Sequence, residues 1–225
     1  MLLILVLPII ISLAVGISGT AAYFKWDDIV GYLQGKQIAV LGARGVGKTT
    51  LLKYIEKGMI AKHGQTIAKQ EIESKHLKLG DIDIRLKKTE DVPGDTVAYG
   101  VWKKLFDESD LIFYVVRTDM LLKNDLATEK RSEDDLKQIQ GWIKESKSKK
   151  QFFIIGNHWD SDPTFKNLTD ETEGNYSDRF RSLPIVKQMT QLAGGNASVK
   201  FALGSLANKK YADELILSIF QQVDK

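Results

Sequence analysis

A three-layer α/β fold built on a mainly parallel sheet is what this chain of 225 residues predicts. Apolar, strand-like runs alternate with helical patterns along it. Two runs, Leu111–Val116 and Phe152–Ile155, are continuously apolar, as strands covered on both faces are. Polar motifs follow the runs, and sheets of this kind bind ligands beyond the carboxyl ends of their strands.

The N-terminal segment stands apart from that alternation. Met1 to Phe24 carries no charged side chain, and Leu2–Val15 is almost continuously aliphatic, broken by Pro8 and Ser12. As a helix it would be about 36 Å long, enough to cross a hydrocarbon core of about 30 Å. Tyr23 and Trp26 fall where an interfacial aromatic belt would sit, beside Lys25. A cleaved signal peptide would carry a basic start, and none precedes Lys25. A helix packed in a core would carry a polar face. The segment therefore reads as a retained transmembrane anchor over residues 1–24, followed by a linker over 25–35 and one domain over 36–225.

The first strand-like run is Ile38–Leu41. Directly after it, Gly42-Ala43-Arg44-Gly45-Val46-Gly47-Lys48-Thr49 satisfies the phosphate-loop pattern G-x-x-x-x-G-K-[ST], and a helical pattern, Thr50–Lys62, follows. Glycines let the backbone curl until several N–H groups converge on one anion. The helix adds the positive end of its dipole, so Gly42, Gly45, Val46, Gly47, Thr49 and Thr50 line a phosphate cradle. Lys48 supplies a point charge for the outer phosphates, and the Thr49 hydroxyl can ligate Mg²⁺.

Gly64-Gln65-Thr66 comes next, where a threonine could close over Mg²⁺ and the terminal phosphate. The stretch from about Thr66 to Leu77 predicts a strand paired with one carrying Ile82, Ile84 and Leu86, turning near Gly80-Asp81. Charged residues alternate with these apolar ones, so that strand has one wet face. Asp91-Val92-Pro93-Gly94 follows it. Its carboxylate can reach Mg²⁺ through water, and the Gly94 N–H can meet a terminal phosphate.

After Phe152–Ile155 comes Asn157-His158-Trp159-Asp160. An aspartate here can accept both hydrogen bonds from the N1–H and N2–H₂ edge of guanine, a donor pair that adenine lacks. After the run Val199–Leu203 comes Gly204-Ser205-Leu206-Ala207, whose backbone N–H groups could meet the guanine O6. Leu136, Ile139 and Ile143 share a face of a helix that would start near Ser132 as N-cap. Tyr211, Leu215, Ile219 and Phe220 line the inner face of the last helix. Ser161 to Pro184 is polar and weakly periodic, a long loop that could hold a partner site or be a tolerated insertion.

Composition excludes several alternatives. The chain has no cysteine, which rules out disulfides, thiolate metal sites and a cysteine nucleophile. Its net charge is +3 and no run of five Lys/Arg occurs, so it has no nucleic-acid footprint. His63 and His76 read as solvated or loop histidines. Asp119, after Leu111–Val116, could be a Walker B carboxylate of an ATPase, though the intervening Arg117-Thr118 favours a loop role. Three glycosylation sequons, at Asn167, Asn175 and Asn196, mean nothing on a cytosolic domain.

Over about residues 36–225, these motifs resemble the Ras-like P-loop GTPases of the translation-factor-related class. The resemblance implies a six-stranded sheet with one antiparallel edge strand, flanked by five helices, holding GTP or GDP with Mg²⁺. Thr66 falls on the switch I threonine and Asp91–Gly94 on switch II. Asn157–Asp160 falls on the guanine motif and, loosely, Ser205–Ala207 on the last motif. Metal ligation then rests on Thr49, Thr66 and Asp91, and catalysis on Lys48, Thr66 and Gly94 with Arg44 and Asp95. A G domain behind one N-terminal span is also similar in architecture to the signal-recognition-particle receptor beta subunits. It implies a single-pass membrane protein whose domain faces the cytoplasm, with a protein effector or activating partner.

Three residues depart from the family pattern. His158 stands where the family has a lysine whose stem lies against the base. Arg44 fills a loop position that is usually small, where it could crowd the attacking water or act as a cis cation. Asp95 replaces the glutamine that orients water, and it is shorter and repels phosphate. Slow hydrolysis without a partner is the expectation. A nucleotide-holding membrane scaffold and a P-loop ATPase are the alternatives.

Overall fold

The computed structural model describes residues 36–63, 76–79, 82–85, 96–163 and 170–223. The predicted anchor and linker, Thr66 and the Asp91–Asp95 segment lie outside these residues. Among the described residues no helix is long and apolar enough to cross a membrane.

The elements run in the predicted alternation: β1 (Ile38–Leu41), α1 (Lys48–His63), β2 (His76–Leu79), β3 (Ile82–Arg85), α2 (Thr96–Glu108), β4 (Leu111–Arg117) and α3 (Thr118–Leu122), then α4 (Leu126–Glu145), β5 (Gln151–Asn157), α5 (Asp170–Ser182), α6 (Pro184–Leu192), β6 (Val199–Leu203) and α7 (Lys209–Phe220). A 3₁₀ turn, Trp159–Ser161, follows β5.

The sheet order is β1-β4-β5-β6, with every pairing parallel. Successive side chains on a strand point to opposite faces, so each strand feeds two cores. On one face Val40, Phe113, Val115, Phe153 and Ile155 pack against Leu51 and Ile55 of α1 and Leu215 and Ile219 of α7. On the other, Ile112, Tyr114, Phe152 and Ile154 meet Phe106 of α2, Leu136 and Ile139 of α4, Phe180 of α5 and Met189 of α6. The continuous apolar runs are thus strands buried on both sides, as their sequence requires.

Four expectations need correction. Among the described residues the sheet is not six-stranded: four strands are parallel, and β2 and β3 form an antiparallel hairpin of their own. The charge alternation in those two segments suits a ribbon with one wet face rather than a place between helical layers. The described residues form seven helices, not five. The extra elements include α3 and α5, and α5 occupies most of the segment expected to be a loop. Its polar composition hides an i, i+4 pair, Tyr176 and Phe180, both buried against the core. Finally, α4 begins at Leu126, not near Ser132. Asp125 caps it by accepting hydrogen bonds from the Thr128 N–H (2.8 Å) and hydroxyl (2.6 Å). The first turn is exposed, with Leu126 at 77 % exposure, so hydrophobic periodicity starts a full turn or more after the helix does.

Candidate nucleotide-binding site

The loop between β1 and α1 needs its glycines. Gly42, Gly45 and Gly47 have φ of 136°, 79° and 100°, a region that L side chains rarely adopt. A Cβ on Gly42 would lie 2.3 Å from the Val115 carbonyl oxygen, and one on Gly47 would lie 2.3 Å from Asn157 Nδ2. The loop is thus pressed against the end of β4 on one side and of β5 on the other.

Helix α1 opens with no acidic residue in its first turn, so nothing there competes with an anion. Lys48 is 8 % exposed and its ammonium donates to the Ala43 carbonyl at 2.6 Å, across the loop it belongs to. Thr49 and Thr50 are exposed at the mouth. Thr49 is therefore free to face phosphate and metal, and it is the predicted Mg²⁺ ligand that falls within the described residues. Among those residues no group of three His, Asp or Glu side chains could hold a metal.

Asn157 ends β5 and is 1 % exposed. Its Nδ2 donates to the Val46 carbonyl at 2.9 Å, and its Oδ1 accepts from the Leu206 N–H at 3.1 Å. One side chain thereby ties the phosphate loop to the loop after β6. The predicted role of the Gly204–Ala207 amides changes accordingly. The Leu206 N–H serves Asn157, and the Ala207 N–H serves the Ser205 hydroxyl at 3.0 Å.

His158 sits at φ 65°, and this left-handed step turns the chain out of the strand into the 3₁₀ turn. Trp159 anchors that turn: its N–H donates to the Gly204 carbonyl at 3.3 Å, and its ring packs edge-on against Tyr176 at 6.3 Å. Asp160 follows. One of its carboxylate oxygens is buried with no hydrogen-bond partner among the described residues, as is Nε2 of His158. A buried acceptor without a donor costs about 1–3 kcal/mol, more for a charged group, unless a ligand satisfies it.

Asp119 is not placed for a metal. It lies on α3, is 2 % exposed, and is gripped by Arg117 through Nε (3.0 Å) and Nη2 (2.6 Å). Hydrogen bonding to Asp119 raises the Arg117 pKa, outweighing burial, which lowers it. Arg44 is exposed and, with Ala43, Val46, Arg117 and Arg131, lines a cleft of about 220 Å³ between the phosphate loop and α4.

A sequence model of the ADP-ribosylation factor family matches residues 26–196. The chain belongs to that family. Membership in the ADP-ribosylation factor family makes the domain a Ras-like P-loop GTPase, the resemblance read from its motifs. The matched span holds the phosphate loop and Asn157–Asp160 and stops before β6. Among solved structures, the fold is similar to an ADP-ribosylation factor-like GTP-binding protein, the small COPII coat GTPase SAR1 from Encephalitozoon cuniculi, in complex with GDP. Identity is 14 %, coverage is 88 % of this chain and 91 % of that one, and the TM-score is 0.48. A GTP-binding protein from Sulfolobus solfataricus in complex with GDP gives 13 % identity and a TM-score of 0.49 over 88 % of this chain. The match spans 55 % of that longer chain. No curated protein matches.

Two contributors to the site escaped the sequence reading. Trp159 was given no role inside the guanine motif, and its buried ring packs against Tyr176 behind the turn. Gly156 precedes that motif, and a Cβ there would lie 2.4 Å from the Thr118 hydroxyl. A glycine at the end of an apolar run was the available signal.

Proposed function

We propose that this protein is a membrane-anchored GTP-binding protein that holds GTP with Mg²⁺ and hydrolyses it slowly as a conformational switch. The observation that carries the guanine assignment is the buried, unpartnered Asp160 oxygen beside Asn157, which suits an N–H donor edge. The curled loop and the acid-free start of α1 support the triphosphate.

In this reading Lys48 and the loop N–H groups neutralise charge on the outer phosphates, and Thr49, Thr66 and Asp91 would hold Mg²⁺. The metal, when bound, offsets charge on the β and γ oxygens. Thr66 and the Asp91–Asp95 segment would order around the terminal phosphate and relax after its loss. Water attacks the γ-phosphorus as its bond to the β–γ bridging oxygen breaks, releasing GDP and inorganic phosphate, and the short, negative Asp95 would orient that water poorly. Arg44 would act as a cis cation. The apolar segment over residues 1–24 would be the anchor, with the domain on the cytoplasmic side and a protein partner completing the switch.

The test compares fluorescent GTP and ATP analogues on the full chain in detergent. Preference for the adenine analogue would defeat the assignment. The scaffold reading is favoured by Arg44, His158 and Asp95, and single-turnover hydrolysis with and without membranes separates the two. Absence of turnover in both would favour the scaffold.

A further inference from the structure

A carboxylate sits at the bottom of the second core, outside the nucleotide site. Asp135 of α4 has a side chain with 0 % exposure. Three donors converge on it. The Tyr99 hydroxyl of α2 donates to Oδ1 at 2.9 Å, the Tyr114 hydroxyl of β4 donates to Oδ2 at 3.0 Å, and Arg131 Nε lies 2.9 Å from Oδ1. The Arg131 guanidinium also covers the rings of Tyr99 and Trp102, at 6.0 and 5.9 Å from their centroids. Tyr99 and Trp102 themselves meet edge to face at 5.8 Å. Burial is the first cause raising the pKa of both Asp135 and Tyr114.

Stability alone is a poor account of this cluster. A buried ionic group is often no better than an apolar one of the same size, whereas its geometry admits a single arrangement. That arrangement joins two things. Helix α2 starts at Thr96, immediately after Asp95 in the chain. Arg131 lines the cleft shared with Ala43, Arg44 and Val46 of the phosphate loop. Asp135 therefore couples the helix that continues from the D-x-x-G motif to the wall of the phosphate cleft.

We infer that Asp135 is a positioning residue of this GTPase: by holding Tyr99 and Arg131 it locks α2, the helix that follows the Asp91–Asp95 segment in the chain, to α4. The inference rests on the GTPase reading, but not on the guanine specificity or the membrane anchor. It requires that loosening α2 slow the chemical step without weakening GDP binding, because the groups assigned to the base and the inner phosphates lie on other elements.

Asp135→Ala would remove all three contacts at once and open a cavity in the core, so the test is made on its partners. Tyr99→Phe and Arg131→Met remove one partner each. Lys104→Ala, which removes an exposed side chain on the same helix, is the control. In the full chain, the expected result is single-turnover GTP hydrolysis about tenfold slower in Tyr99→Phe and Arg131→Met, with GDP affinity within about twofold of the parent protein. Amide hydrogen exchange over α2 should differ between the GDP form and the form with a non-hydrolysable GTP analogue, and Tyr99→Phe should abolish that difference. Lys104→Ala should change neither. Parent-like hydrolysis and exchange in Tyr99→Phe would overturn the inference. So would a rate and a GDP affinity that fall together with the melting temperature, since that is what a structural role predicts. If the parent protein shows no turnover, the GTPase reading fails on its own, and the α2 exchange difference still decides: its loss in Tyr99→Phe supports the coupling and its persistence refutes it.

Discussion

In the proposed nucleotide site Asn157 serves the base end and Thr49 the phosphate end, the first buried to 1 % exposure and bonded on both sides, the second exposed at the start of α1. The base end is built into the fold. Asn157 bridges two loops, Trp159 pins the turn, Gly156 leaves room for Leu203 and Thr118, and Gly47 of the phosphate loop leaves room for Asn157. The phosphate end rests on backbone conformation and on groups at the surface, with Arg44, Gly45, Thr49 and Thr50 all exposed. Loss of a side chain at the base end should therefore cost stability and binding together, and loss of a side chain at the phosphate end should cost binding alone.

Asn157→Ala tests the base end most severely. It removes two hydrogen bonds and leaves the Val46 carbonyl and the Leu206 N–H buried without a partner, a loss of about 2–4 kcal/mol. The melting temperature without nucleotide should fall by several degrees, and both guanosine and GDP should bind far more weakly. An unchanged melting temperature would mean that the bridge is not structural.

Lys48→Ala tests the other end. A charged hydrogen bond to phosphate is worth about 1.5–3 kcal/mol, so GTP affinity should fall about a hundredfold. Guanosine, which has no phosphate, should bind as before, and the ligand-free melting temperature should barely move. Calorimetry with both ligands checks the split, and a parallel loss of guanosine binding would erase the distinction between the ends.

The two ends also differed in how readable they were. The phosphate loop was legible because its chemistry is local: glycines, lysine and threonine at fixed spacing between a strand and a helix. The parallel strands were legible for a similar reason, since burial on both faces leaves a continuous apolar run. Asn157 as a bridge was not legible, because its partners lie 111 and 49 residues away. The Asp135 cluster was hidden likewise, since Tyr99, Tyr114 and Asp135 meet only through the packing of α2 on α4. The start of α4 was missed because its first turn faces solvent, and α5 because two buried aromatics in a polar helix make a faint pattern.

Asp160→Asn should be milder than either loss above. It removes an acceptor without opening a cavity, so guanine nucleotides should weaken about thirtyfold, near 2 kcal/mol. Xanthine carries a carbonyl where guanine has its amino group, so it should gain. Competition between GDP and xanthosine diphosphate reads the exchange, and an unchanged order of preference would separate Asp160 from the base.

The smallest effect is expected at Gly45, and it sharpens the comparison within a single loop. Gly45 has φ 79°, but a Cβ there would meet nothing within 4 Å. Gly45→Ala thus carries only the cost of a left-handed backbone, about 1–2 kcal/mol. At Gly42 the same change adds a 2.3 Å collision with the Val115 carbonyl, which the sheet cannot relieve by turning a side chain. Gly45→Ala should therefore fold with a melting temperature a few degrees lower and keep measurable GDP binding, whereas Gly42→Ala should lose both. If the two variants melt alike, backbone conformation and not contact with β4 sets the shape of the loop, and the phosphate end is more independent of the sheet than its close approach implies.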